Sequence, residues 1–152
     1  MQMNNPSSTY LISVRPTWAD AFFLDRNPKT IELRKGNFGT SLKAGDSIVI
    51  YSTLPEGRAI GTVKVIKRES LTVPIDCGSC PNMGGWHSVS RQQFETYYTN
   101  QESGIGVWVG GAELLPSPIA LPRLRQNWGH RWQPPQQIQQ LTHEQMALIK
   151  AE

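Results

Sequence analysis

A small, mostly antiparallel, curled β-barrel of the α+β class, flanked by short helices, is the architecture that this sequence predicts. Three observations predict it. Short segments in which apolar and polar residues alternate with period two recur along the chain, as in Lys29-Thr-Ile-Glu-Leu-Arg34 and Thr62-Val-Lys-Val65. Turn-forming stretches separate them, in a chain that carries 13 glycines and 11 prolines among 152 residues. Helix-start signatures stand between strands or at the end of the chain, so the helices flank a sheet instead of forming a bundle.

Taken in order, residues 1–9 are polar and expected to be frayed. Tyr10-Leu-Ile-Ser-Val14 reads as a first strand, and Arg15-Pro16 stops it, because proline lacks a ladder donor and holds its predecessor extended. Thr17 with Asp20 three residues on resembles a helix start, and Trp18, Ala19, Phe22 and Phe23 form an apolar stripe at helical spacing. Asn27-Pro28 ends that helix, and Lys29–Arg34 is the second strand. Residues 36–45 form a turn region in which Leu42 plugs the core. Gly45-Asp46 then turns into a third strand, Ser47–Ser52, which pairs as a hairpin with a fourth running from Ala59 to about Lys67.

Residues 70–87 read as an irregular loop. Ser90 with Gln93 makes a capping box, and Val89 facing Phe94 makes the accompanying hydrophobic staple, so a helix is expected from Ser90 to about Tyr98. Gly104–Val109 is a fifth strand. Glu113–Leu121 is a sixth, and its prolines at 116 and 118 suit a sheet edge. An extended Gln133-Pro-Pro-Gln-Gln linker follows. Thr142 with Gln145, and Leu141 facing Met146, then start a last helix. One domain over residues 10–136, with a helical tail over 137–152, is the expected organisation.

Composition narrows the function classes. The chain is long enough for a core without staples, and its net charge of +3 permits nucleic-acid binding without requiring it. No apolar run reaches membrane-spanning length and no signal peptide is visible, so no membrane partner and a cytoplasmic location are expected. The two cysteines, Cys77 and Cys80 in Cys-Gly-Ser-Cys-Pro, make with His87 one ligand too few for a closed zinc site. His130 or His143 could complete it, but no spacing says so. The pair lies in a Gly/Pro-rich loop, not at the strand-to-helix junction of a redox motif, so an incidental pair is expected, with no metal and no cofactor.

The informative stretch is Lys29–Arg34. Ile31 and Leu33 take one face, and Thr30, Glu32 and Arg34 stand side by side on the other. That face is either a solvated strand surface or a polar patch for a ligand. A second candidate surface interleaves Arg123, Arg125, His130 and Arg131 with Trp128 and Trp132. It is either a strand-tracking groove or a pair of tryptophans pinning the tail under solvated arginines.

A set of motifs together resembles the ASCH domain of the PUA-like superfamily. They are a strand ending in Arg15-Pro16, an apolar helix, Lys29-Thr-Ile-Glu-Leu-Arg34, Gly45-Asp46, Ile50-Tyr51-Ser52 and Ala59-Ile-Gly61. The helix at 90–98, the strand at 104–109 and Pro118-Ile-Ala-Leu-Pro-Arg-Leu-Arg125 extend the likeness over residues 10–136. It implies a barrel with a cleft lined by the first helix, the Lys–Glu–Arg strand and the Tyr-Ser strand end. It also implies binding of RNA or of modified bases, although some members are enzymes, an amidohydrolase acting on acetylated cytidine and a ribonuclease.

The residue types suit a nucleotide. Lys29 and Arg34 can meet phosphate, and Glu32 can accept from an exocyclic amine or ring N–H. Trp18 or Tyr51 can stack on a base, unless Trp18 is simply core. The amidohydrolase pattern matches at Lys29, but Glu32 stands where a threonine nucleophile is needed and Thr30 is out of register. Acyl transfer to a carboxylate would give a mixed anhydride.

The reading is therefore a nucleic-acid-binding module for RNA, another single strand, or a modified nucleoside. Its expected contact residues are Arg15, Trp18, Lys29, Glu32, Arg34, Tyr51, Ser52, Arg123 and Arg125, with no catalytic residue assigned. A small hydrolase of modified nucleosides or a ribonuclease in the same cleft is the first alternative. A protein-interaction adaptor using the tryptophan-rich segment is the second.

Overall fold

Alternation along the strands turns successive residues to opposite sides, and in the computed structural model, which describes residues 7–72 and 86–151, both sides are covered. The described elements are β1 (Thr9–Val14), α1 (Pro16–Ala21), β2 (Ile31–Lys35), β3 (Ser47–Ser52) and β4 (Arg58–Thr72). They continue with α2 (Arg91–Tyr97), β5 (Ser103–Ala120), α3 (Leu121–Trp128), β6 (Ile138–Gln140) and α4 (His143–Lys150). The strands form one six-stranded sheet in the order β2-β5-β4-β3-β1-β6, curled into a half-barrel. Only β1 and β3 pair in parallel, joined by the α1–β2 crossover, and the other pairings are antiparallel.

Ile12 and Val14 of β1 and Ile48 and Ile50 of β3 face the hollow of the half-barrel, with Phe22, Val63 and Val107. Leu11, Val49 and Tyr51, the residues between them, face the other way onto Ile119, Leu124, Leu141 and Ile149. A third cluster sets Ile31 and Leu33 of β2 against Phe94, Tyr98 and Trp108. Leu42 plugs the first cluster. Both expected capping boxes form: Ser90 and Gln93 at α2, and Thr142 and Gln145 at α4.

The structure revises several expectations. Pro16 occupies the first turn of α1, so the helix starts at Pro16 instead of being capped by Thr17, and it ends at Ala21. Strand β4 runs on to Thr72, through part of the expected loop. The segments read as a fifth and a sixth strand are one strand, and β5 lies between β2 and β4, not at an edge. Its prolines are tolerated because pairing jumps from Gly61↔Leu114 to Ala59↔Ile119, so residues 115–118 bulge out of the ladder. Residues 121–128 form a helix that the sequence reading did not expect. Pro122 sits in its first turn and Gly129, at φ 118°, ends it. Ile138–Gln140 pairs with β1. Cys77 and Cys80 lie outside the described residues.

Gly61 marks a close approach in the sheet. A Cβ there would stand 2.5 Å from the Phe23 ring and 2.6 Å from the Glu113 carbonyl oxygen. The absent side chain lets β4, β5 and the residues after α1 close together.

Candidate functional site

Lys29 precedes β2 and is held from both sides. Its N–H donates to the Ala21 carbonyl at 2.8 Å, and the Thr30 and Ile31 N–H groups donate to the Trp86 carbonyl. This backbone pairing brings the Lys29 ammonium onto the His87 carbonyl, to which it donates. The Lys29 ammonium also lies 3.4 Å from Glu32 Oε1. Arg34, two residues beyond Glu32 on the same face of β2, donates to Glu32 Oε2 from Nε at 3.0 Å and Nη2 at 2.8 Å. The same Nη2 reaches the Ser13 carbonyl of β1 at 2.8 Å, and the guanidinium covers the Phe38 ring at 4.6 Å.

The polar face of β2 is therefore not a solvated surface. Lys29 is 2% exposed and Glu32 6%. Burial raises the Glu32 pKa, but Arg34 and then Lys29 outweigh it and hold the carboxyl below its ordinary range. Burial pushes the Lys29 pKa down, and Glu32 only partly offsets this. Because both cations are turned onto Glu32, Lys29 and Arg34 act as a clamp on an ionised carboxylate.

That carboxylate lies at the bottom of a cleft of about 790 Å³. Trp18, Phe94 and Tyr97 supply aromatic wall, and Tyr51, Thr53, Leu54, Arg125 and Pro134–Pro135 line other parts of it. Arg15, Lys29, Arg34 and Arg125 line it against the one carboxylate of Glu32. Trp18 is half-buried against the core as well as cleft-lining, so both readings of it apply.

Of the residues singled out in the sequence, the cleft gathers Arg15, Trp18, Lys29, Glu32, Arg34, Tyr51 and Arg125. Ser52 and Arg123 are not among its lining. Ser52 is fully buried on the opposite side of β3 from Tyr51, and its hydroxyl has no partner among the described residues. Arg123 is exposed on α3. Trp128 and Trp132 pack edge-to-face at 4.9 Å against the outer core cluster, so the tryptophans secure the C-terminal segment.

Sequence reasoning missed the contributions of α2 and of residues 86–89. Gln93, Phe94 and Tyr97 line the cleft. His87 lies beneath it, fully buried, with its ring stacked on Trp86 at 5.3 Å and its Nδ1 accepting from the Val89 N–H at 3.0 Å. An accepting Nδ1 requires an unprotonated nitrogen. Burial and then the nearby Lys29 push the His87 pKa down to about 4. The signals in the sequence were the capping box and staple that placed α2, and His87 was weighed there only as a zinc ligand. Among the described residues no cluster of His, Cys, Asp or Glu could hold a metal ion, and no helix is long and apolar enough to cross a membrane.

No family model matches the sequence, and no curated protein matches it either. Solved structures do match its fold. The ASCH protein from Zymomonas mobilis is 23% identical, covering 95% of this chain and 94% of that one, with a TM-score of 0.81. The N-terminal domain of Staphylothermus marinus McrB is 11% identical over 98% of both chains, with a TM-score of 0.64. Human THYN1, in complex with DNA containing 5-methylcytosine, is 15% identical over 95% of this chain and 96% of that one, with a TM-score of 0.58.

Proposed function

The chain has an ASCH-type, PUA-like fold, and from the cleft that this fold encloses we propose that it is a nucleic-acid-binding module taking an unpaired base or modified nucleotide. The observation that carries this reading is the ionised carboxylate of Glu32 at the bottom of an aromatic-walled cleft in which basic side chains predominate. A carboxylate has about four acceptor sites, and Arg34 and Lys29 together take three. One site on Oε1 remains for an N–H donor of the ligand, such as an exocyclic amine or a ring nitrogen. Trp18 and Tyr97 offer faces for stacking, the usual means of holding a splayed base. The human THYN1 structure, in complex with DNA, is a nucleic-acid precedent for the fold.

The test is equilibrium binding of single-stranded RNA, single-stranded DNA and duplex DNA, with and without modified cytosines. Wild type is compared with Glu32→Gln and Trp18→Leu, and a thermal melt of each variant checks folding. We expect saturable binding of a single strand at low salt, weakened about tenfold or more in each folded variant. Absence of binding to every oligonucleotide, or binding that neither substitution alters, would overturn the reading.

One observation favours a second reading, a hydrolase of modified nucleosides or a ribonuclease in the same cleft. Lys29 and Glu32 line the cleft 3.4 Å apart, an acid–base pair at its wall, and burial lowers the Lys29 pKa, the direction that favours giving up a proton. Product formation by wild type that disappears in Lys29→Met would establish it.

A further inference from the structure

We propose that the part of the cleft between Tyr51, Thr53 and Arg125 is an anion subsite for the phosphate of a nucleotide whose base lies toward Glu32. The proposal rests on the reading of the cleft as a nucleotide site and assigns the phosphate a place within it. Lys29 and Arg34 are poor candidates for that contact. The Lys29 side chain is 1% exposed, and both cations are turned onto Glu32 and onto backbone carbonyls.

Arg125 is differently placed. Its Nε donates to the Trp132 carbonyl at 2.9 Å and its Nη2 to Gln133 Oε1 at 3.0 Å. Those two bonds fix the plane of the guanidinium. Arg125 faces no carboxylate among the described residues, and its Nη1 donates to none of them. A guanidinium held by neutral acceptors keeps its full charge for a ligand, and its fork suits phosphate.

Tyr51, near the end of β3, and Thr53, in the turn that follows it, both line the cleft. Neither hydroxyl has a hydrogen-bond partner among the described residues. The Tyr51 ring is fixed edge-to-face against Trp132 at 6.4 Å. Burial keeps its phenol protonated, and Arg125 is near enough to oppose that shift. All three groups line the one cleft, Arg125 is near enough to Tyr51 to act on its phenol, and no acidic residue among the described residues pairs with the guanidinium. Hydroxyl donors beside a guanidinium are complementary to a phosphate.

The experiment compares the four ribonucleosides, their 5′- and 3′-monophosphates and inorganic phosphate, titrated into the full chain by calorimetry and by NMR. Wild type is set beside Arg125→Ala, Tyr51→Phe and Thr53→Val. The last two keep shape and guard against a loss of fold, since Arg125 also ties down Trp132 and Gln133. We expect a monophosphate to bind about tenfold or more tightly than its nucleoside. Arg125→Ala should lower the monophosphate-to-nucleoside affinity ratio towards one, with few-fold losses in that ratio for the two hydroxyl variants. A monophosphate no tighter than its nucleoside, or an advantage that survives in all three variants, overturns the subsite. Phosphate shifts confined to Tyr51, Thr53 and Arg125 without any nucleoside binding would uphold the subsite and overturn the base-binding reading beneath it.

Discussion

Glu32 holds Arg34 and Lys29 together, and its removal leaves two cations facing each other out of water. Glu32→Ala is therefore expected to destabilise the fold by about 3 kcal/mol or more, read as a drop in the urea midpoint. Acid titration separates this clamp from His87. The folded pKa of His87 is pushed to about 4 from an ordinary 6.5, so the unfolded chain takes up the proton first. Stability should be complete above the ordinary value and fall by up to about 1.4 kcal/mol per pH unit toward the folded one. Glu32, with its pKa depressed, acts lower, withdrawing its contribution only as the pH drops below its ordinary 4.5. Denaturant curves taken across this range should lose the upper slope in His87→Gln. The Lys–Glu–Arg constellation was legible because period two puts Glu32 and Arg34 on one face. His87 was not, because its partners come from a backbone pairing of residues 86–87 with Lys29–Ile31 that spans more than fifty positions of chain.

Elements with local signals were read well. Both capping boxes are closed by residues three apart, and Ser90→Ala should cost about 1 kcal/mol, measured by thermal melting. The stretch from Glu113 to Trp128 was misread because its signals are ambiguous locally. Proline is tolerated at a sheet edge, in a bulge and in the first turn of a helix, and only the ladder with β4 decides which applies. Gly61 likewise gave no sign of its role. Gly61→Ala must displace the Glu113 backbone as well as the Phe23 ring, and about 1–3 kcal/mol of destabilisation is expected in the same measurement.

Across the whole molecule, the excess of cations is small, +3 in total, and the cleft concentrates part of it. With Arg15 and Arg125 as the two phosphate contacts, single-strand binding should weaken with a slope of about −1.4 in log affinity against log salt. Arg125→Ala should reduce that slope to roughly half. The curled sheet was legible from the strand pattern, whereas the cleft was legible only in part, through the family resemblance, because its lining comes from four well-separated parts of the chain. Those parts are residues 13–34, 51–54, 89–97 and 121–136. This dispersal bears on synthesis. A nascent chain can close β3 onto β4 as soon as both have left the ribosome, but β2 must wait for β5, and Tyr51 must wait for Trp132. Until residue 136 emerges there is no enclosed recess, only the exposed apolar faces that will later line it. The cleft closes only late in synthesis, so an unfinished chain stalled short of Arg125 should be recognised by chaperones and not by a nucleotide.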